Sequence, residues 1–264
     1  MTTSTTTRAR PAKAAKRVRL DQLLVERGLV GSRARGQTLV LAGKVRVGDG
    51  DGARLDHKPG DLVAPGIAIV IDTPEPYVSR GGHKLAAALD AFGIDPAGRT
   101  ALDVGASTGG FTDVMLRRGA RRVVALDVGH GQLDWKLRTD PRVVVLEKIN
   151  ARTMTPEQLP EDARRFDLVT MDVSFISVRQ VLPAIVPLLA PGADVVVLVK
   201  PQFEAGRDEV GKGGLVRDAA VQARTVEDVA SAANALGLTR VAAVESPITG
   251  TEGNREFFLH LRHE

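Results

Sequence analysis

The sequence predicts an α/β protein built on a doubly wound parallel sheet, and three observations carry that expectation. Strand-like apolar runs recur near residues 100–104, 122–127, 143–147, 167–172 and 194–199. Helix-length segments accompany them near 84–92, 110–118, 132–138, 177–189 and 217–236. The first run, Arg99 to Val104, closes on a glycine-rich turn, Asp103-Val-Gly-Ala-Ser-Thr-Gly-Gly-Phe111, which opens a helix. Alternation of this kind gives a sheet covered on both faces, with ligand at the carboxyl ends of its strands. Two further strand-like runs, Thr239 to Glu245 and Arg255 to Leu261, predict a closing hairpin on the five-stranded core.

Ahead of this domain the chain reads differently. Residues 1–18 begin Thr-rich without an apolar stretch, and are expected to be a disordered tail and not a signal peptide. Leu20, Leu23, Leu24 and Leu29 have helical spacing, with Gly28 as a stop. Ser32 caps a second helix through Arg33, Arg35, Leu39 and Leu41 to Ala42, and the alternation in Ala42-Gly-Lys-Val-Arg-Val-Gly48 reads as a strand. A small α+β module over 19–71, a Pro-rich linker over 72–79 and a large domain over 80–264 follow from this pattern. The long apolar stretch Val181 to Val199 invites a membrane reading. Pro183, Pro187, Pro191, Gly192 and Asp194 interrupt it, and a helix to Ala190, a Pro-Gly turn and a buried strand explain it without lipid.

Composition narrows the chemistry. With 264 residues, 43% of them hydrophobic, the chain can bury a full core. It has no cysteine, which removes disulfides, thiolate metal sites and cysteine nucleophiles and fits a reducing cytoplasm. The five histidines show no ligand-like spacing, so no metal is expected. The net charge of +4 hides an asymmetry: residues 1–60 carry 13 Lys/Arg against 5 Asp/Glu, the remainder 23 against 27. A basic front on a mildly acidic body is an electrostatic handle for a polyanion, since Lys and Arg contacts to phosphates supply sequence-independent affinity.

The glycine turn speaks to a cofactor. Gly105, Gly109 and Gly110 let backbone approach a ligand, and the amides opening the helix can donate to an anionic group. G-x-x-x-G-G is neither a dinucleotide fingerprint nor a P-loop. Asp127, ending the next strand, is placed to accept two ribose hydroxyls, and Asp103, two residues before Gly105, to meet an ammonium. S-adenosylmethionine carries both groups. The expected cofactor set is Asp103, Gly105, Ala106, Ser107, Gly109, Gly110, Phe111, Asp127 and Asp172; a tight turn with no ligand stays open on the loop alone.

Absences then select the acceptor of a methyl group. Covalent pyrimidine C5 methylation needs a cysteine, and amine methylation usually places Asp/Asn-Pro-Pro-aromatic where Asp172-Val-Ser-Phe175 stands. A hydroxyl acceptor is favoured. It would need lysines and carboxylates near the methyl to hold the oxygen in line and ease its proton away. Lys84 in Ser79-Arg-Gly-Gly-His-Lys, Asp172 closing the fourth strand, Lys200 closing the fifth in Leu198-Val-Lys-Pro-Gln-Phe203, and Glu256 in Gly253-Asn-Arg-Glu-Phe257 occupy element ends that converge in such sheets. Order alone does not say which lysine is the base.

These four resemble, in order and context, the Lys-Asp-Lys-Glu tetrad of FtsJ-like ribose 2′-O-methyltransferases. The motifs Ser-Arg-Gly-Gly-His-Lys-Leu, Asp-Val-Gly-Ala-Ser-Thr-Gly-Gly-Phe, Asp-Val-Ser-Phe-Ile-Ser, Val-Lys-Pro-Gln-Phe-Glu and Gly-Asn-Arg-Glu-Phe-Phe are similar to those of the TlyA family over about residues 19–262. The front module resembles the S4 RNA-binding domain. The resemblance implies a class I, Rossmann-like S-adenosylmethionine-dependent methyltransferase with an N-terminal S4-like domain. It further implies methyl transfer to the ribose 2′-hydroxyl of cytidine in 23S rRNA, with 16S rRNA a second candidate, and sensitivity to capreomycin-type antibiotics. Ribosomal subunits would be the partners, met by Arg19, Arg33, Arg35, Lys44 and Arg46. Tyr77 stands where the mycobacterial pattern has Trp, which puts an interdomain role there in doubt. The chain reaches Glu264 soon after its last strand, which favours the large subunit, while the extended N-terminus points the other way. Glu204 to Leu215, rich in glycine and charge, is expected to be a mobile lid, and Phe175 or Phe203 to stack a flipped base. Two other classes are weighed beside this. A non-catalytic RNA- or ribosome-binding protein would have lost loop, acid and tetrad, which are intact. A haemolysin, a historical label of the family, would need a spanning segment, an amphipathic strand array or a secretion signal, and the sequence offers none. Nothing in the sequence addresses oligomeric state.

Overall fold

A computed structural model describes residues 16–72, 76–250 and 253–264. It divides the chain into two compact units, Met1–Pro74 and Glu75–Glu264. Residues 1–15 of the expected tail and 73–75 of the expected linker lie outside the described residues.

The first unit runs β1 (Val18–Arg19), α1 (Leu20–Glu26), α2 (Arg33–Leu41), β2 (Val45–Val47), β3 (Leu62–Val63) and β4 (Ile69–Ile71). Ser32 caps α2 as expected, its Oγ accepting from the Arg35 amide at 3.2 Å. β1 pairs antiparallel with β3, and β2 with β4. Leu20, Leu23, Leu24, Val40, Val45, Val47 and Val63 form its core. Leu29 does not join them: α1 ends at Glu26, and Leu29 is 41% exposed.

The second unit runs α3 (Gly81–Phe92), β5 (Thr100–Val104), α4 (Gly110–Arg117), β6 (Arg122–Asp127), α5 (Trp135–Arg138), β7 (Val143–Glu147), β8 (Phe166–Met171), α6 (Leu182–Ile185), β9 (Leu189–Val199), α7 (Pro201–Glu204), α8 (Ala219–Asn234), β10 (Leu238–Glu245) and β11 (Phe257–His263). Its seven-stranded sheet has the order β10-β11-β9-β8-β5-β6-β7. The five strands β5 to β9 are parallel, while β11 is antiparallel to both β9 and β10. Successive residues alternate between two cores: Leu102, Val104, Val195 and Val197 belong to one, Ala101, Val196 and Leu198 to the other. Both faces are therefore covered, as near-continuous apolar strands require.

Local chemistry explains where the elements depart from the sequence reading. The single helix expected over 177–189 is a 3-10 turn at Val178–Gln180, α6, and a 3-10 turn at Val186–Leu188. Pro183 and Pro187 each remove an amide that a continuous helix would need. β9 begins at Leu189, before the Pro-Gly pair, which is absorbed as an irregularity: Phe166 pairs with Leu189 but Leu168 with Asp194, and Gly192 takes φ +74°. Residues 76–79 pack in the second unit and are not a free linker. Val78 donates its amide to Asp113 at 3.0 Å, and Arg117 lies 5.6 Å over the Tyr77 ring. Among the described residues, no helix is long and apolar enough to cross a membrane.

Candidate active site

The glycine turn between β5 and α4 is shaped by contacts only glycine permits. Gly105 sits at φ +84°, and a Cβ there would lie 2.4 Å from the Asp172 carbonyl oxygen. A Cβ on Gly110 would lie 2.3 Å from Ser79 Oγ and 2.8 Å from the Gly82 amide, so Ser79-Arg-Gly-Gly docks directly on the start of α4. The first contact draws the ends of β5 and β8 together. The second brings α3, and with it Lys84, to the same place.

Two cavities open here and share Gly105, Ser107 and Asp172. The larger, about 460 Å³, is lined also by Leu126, Asp127, Val128, Gln132, Ile149, Asn150, Ile176 and Val181. The smaller, about 310 Å³, is lined also by Ser79, Arg80, Lys84, Ala106, Gly110, Phe111 and Thr249. Asp127 Oδ2 accepts from the Ser107 amide at 2.8 Å and Oδ1 from the Gly129 amide at 2.6 Å. One lone pair on each oxygen remains for a ribose diol. Apolar walls for a base, a carboxylate for a ribose and glycine backbone beside it make the larger cavity fit a nucleoside.

Of the sequence-expected cofactor residues, Gly105, Ala106, Ser107, Gly110, Phe111, Asp127 and Asp172 line these cavities. Gly109 sits behind the wall, where a Cβ would lie 2.2 Å from Leu137 Cδ1. Asp103 is a correction. Its carboxylate is fully buried, accepting from Thr112 Oγ1 at 2.6 Å and Thr170 Oγ1 at 3.1 Å, and it lines neither cavity. Burial first, then the nearby Asp172 charge, push it up to about 7 against the two threonine donors. The acid that meets both cavities is Asp172.

The four residues of the expected catalytic set form two pairs. Lys84 Nζ donates to Glu256 Oε2 at 2.5 Å, with side chains 13% and 3% exposed. Lys200 Nζ lies 2.7 Å from Asp172 Oδ1 and donates to Ser174 Oγ at 2.8 Å. The contact to Asp172 is an ion pair, and Oδ1 has no hydrogen-bond donor beside it among the described residues. Lys84 and Asp172 share the smaller cavity. Beyond it, Phe175 is 92% exposed at φ +65°, a strained conformation for a bulky residue, and its ring centroid lies 5.3 Å from that of Phe203. These two rings, with Arg152, Gln180 and Arg207, line a cavity of about 530 Å³.

Sequence reasoning missed Ser174, Gln132 and Asn150. Ser174 had a signal in standing two residues from Asp172; Gln132 and Asn150 lie on connections whose course sequence does not set. The segment expected as a lid is tied down in places: Asn254 accepts from the Val216 amide and donates to the Gly214 carbonyl, 2.9 and 2.8 Å, and Arg224 binds Glu209. In the first unit Arg19 and Arg33 both pair with the buried Asp21, and Arg46 lies 3.8 Å from Asp72. Arg35 and Lys44 form no ion pair among the described residues. No metal-binding group of His, Asp or Glu occurs among the described residues.

Comparison with known proteins places this architecture. Residues 77–263 match the model of the FtsJ-like methyltransferases. The chain is 52% identical over 250 residues to a protein of Mycobacterium tuberculosis named 16S/23S rRNA (cytidine-2′-O)-methyltransferase TlyA, covering 94% of this chain and 91% of that one. The chain belongs to the TlyA group of FtsJ-like methyltransferases. It is 36% identical to the 23S rRNA (cytidine-2′-O)-methyltransferase TlyA of Campylobacter jejuni, over 78% of each chain. A solved structure described as a hemolysin from Streptococcus thermophilus superposes with a TM-score of 0.70 at 41% identity, covering 95% of this chain and 90% of that one. Methyltransferase fold and hemolysin naming thus occur within one family.

Proposed function

We propose that the protein transfers the methyl group of S-adenosylmethionine to the ribose 2′-hydroxyl of a cytidine in ribosomal RNA. The observation that carries this reading is that two lysine–carboxylate pairs, Lys84–Glu256 and Lys200–Asp172, each place one member, Lys84 and Asp172, on the same cavity, beside the cavity that fits a nucleoside. Asp127 would hold the cofactor's ribose, the apolar wall of Leu126, Val128, Ile149 and Ile176 its base, and Asp172, which lines both cavities, a cationic group. When bound, the cofactor supplies an electrophilic methyl group.

The chain's own residues prepare the acceptor. Lys84 aims its ammonium group at the space where the ribose oxygen enters and holds that oxygen, while the hydroxyl proton passes to the Lys200–Asp172 pair, whose carboxylate lines the same cavity. Glu256 and Asp172, with Ser174, fix the two lysines in position, so little reorganisation is needed when the oxygen arrives. The strained Phe175 beside Phe203 offers a surface for a base outside the helix stack, and Arg152 and Arg207 offer donors to phosphate. In the basic first unit, which we read as an S4-like RNA-binding domain, Arg35 and Lys44 carry the phosphate contacts, while Arg19 and Arg33 also hold Asp21. The relative named for both 16S and 23S RNA is more identical to this chain than the Campylobacter jejuni relative named for 23S RNA alone, 52% against 36%, which supports substrates in both subunits.

The test is to incubate the protein with labelled S-adenosylmethionine and separated ribosomal subunits or free rRNA, and to map the product by primer extension at low dNTP. Label on a cytidine 2′-oxygen is expected, lost in Lys200→Ala with binding of S-adenosylhomocysteine retained. Label on a base, or full transfer by Lys200→Ala, overturns the reading.

A further inference from the structure

Two catalytic strand ends must be held in register for Lys200 to reach both Asp172 and Ser174. Asp172 and Ser174 follow β8, whereas Lys200 follows β9 and stands just before α7. The near end of the β8 loop is anchored to the sheet, since Asp172 donates its amide to the Val104 carbonyl at 2.9 Å. The stretch 173–177 carries Phe175 at φ +65°, a conformation that persists only where the surroundings enforce it. Something must therefore hold its far end.

Glu204, the last residue of α7, is in that place. Its side chain is buried, and its carboxylate accepts from Ser177 Oγ at 2.6 Å, the Val178 amide at 2.6 Å and Arg179 Nε at 3.1 Å. Its carbonyl accepts from Arg179 Nη2 at 3.1 Å. Among the described residues, no other carboxylate bonds three consecutive residues across these two strand ends. The preceding residue, Phe203, meets Phe175. We infer that Glu204 is a positioning residue for methyl transfer, clamping the loop that carries Asp172, Ser174 and Phe175 to the strand end that carries Lys200. This inference rests on the proposed reaction. Glu204 touches neither cavity that fits the nucleoside, so its effect passes through the loop.

The carboxylate accepts from all its side-chain and amide partners, whereas an amide in its place would turn an N–H toward either Val178 or Arg179. Glu204→Gln is thus a test of nearly constant volume. Single-turnover methyl transfer to rRNA should fall about thirtyfold or more, in line with misplaced catalytic groups. The dissociation constant for S-adenosylhomocysteine should rise by a smaller factor than the rate falls, because the clamped loop lines only one side of the nucleoside cavity while Gly105, Leu126, Asp127, Gln132 and Ile149 line the rest. Amide hydrogen exchange should rise at 173–179 and not in β5 or α3. Ser177→Ala should lower the rate less, and adding it to Glu204→Gln should lower it little further, since both act on one clamp.

An unchanged rate in Glu204→Gln, unchanged exchange at 173–179, or full additivity with Ser177→Ala would each overturn the inference. If Glu204→Gln does not fold, Ser177→Ala and Arg179→Ala decide it: unchanged rate and exchange in both count against the clamp. Should the wild-type protein methylate no RNA, the proposed function fails, while the exchange comparison still reports whether Glu204 orders the loop.

Discussion

Replacing Gly105 with alanine tests the convergence of β5 and β8, because two separable costs meet at that position. A non-glycine residue in the left-handed region costs about 1–2 kcal/mol. The new Cβ would stand 2.4 Å from the Asp172 carbonyl oxygen, and Cβ atoms do not approach below 3.0 Å, so one strand end must retreat by at least 0.6 Å. Overpacking of this kind costs about 1–3 kcal/mol more. Gly119 supplies the control. Its φ of +83° matches the +84° of Gly105, yet a Cβ there meets only Ala97, at an ordinary 3.6 Å. In differential scanning fluorimetry Gly119→Ala should show the conformational cost alone, while Gly105→Ala should melt lower still by roughly 2–12 °C, at about 2–4 °C per kcal/mol for a unit of this size. Because Asp172 must move, Gly105→Ala should also lose about a hundredfold in methyl transfer, with Gly119→Ala near wild type. Equal melting temperatures and equal rates for the two variants would refute the argument that the turn is glycine for space as well as for φ.

Other expectations follow from single groups. Asp127→Asn should weaken S-adenosylhomocysteine binding about tenfold by calorimetry, through loss of charge-assisted acceptance. Asp103 is raised in the folded chain to about 7 from 3.8, so between those values the folded state holds a proton that the unfolded chain has released. Its contribution to stability is present at low pH and is lost as pH rises through about 7, and Asp103→Asn should gain on wild type in melting temperature at pH 8 relative to pH 5. Asp21 is shifted the other way, chiefly by its hydrogen bond from Arg19, and lies well below the usual carboxylate range. Its stabilisation is present above the unfolded value of 3.8 and fades as pH falls below it, so the deficit of Asp21→Asn against wild type in urea unfolding of the first unit should shrink from pH 7 to pH 3.

Much of the sheet was legible because its strands are buried on both faces and bounded by turn chemistry. Arg122–Asp127 and Val143–Glu147 have the bounds their apolar runs predict. The site residues were legible where they sit at strand ends, since topology brings such ends together: Asp127, Asp172 and Lys200 are in this class. Position in a motif did not reveal depth. Asp127 ends β6, but Asp103 stands inside β5, paired with Ala125 two residues short of Asp127, so it shares that residue's face of the sheet and sits a step deeper, bonded to Thr112 and Thr170. The broken segment after β8 was illegible in a second way. Its apolar count suits one helix, and only the spacing of Pro183 and Pro187 forbids it. Glu204 gave no signal, because a buried carboxylate is recognised by the donors around it, and those come from 26 residues away.

The bond between Lys84 and Glu256 joins residues 172 positions apart, and Glu256 leads into β11, which lies between β9 and β10. During synthesis the lysine emerges early and its partner among the last. The same last strand carries Leu259 and Leu261 into one core and Phe258 into the other, so the carboxylate that orients Lys84 and the residues that complete the sheet reach the fold together. A polypeptide that stops short of 256 would lack both.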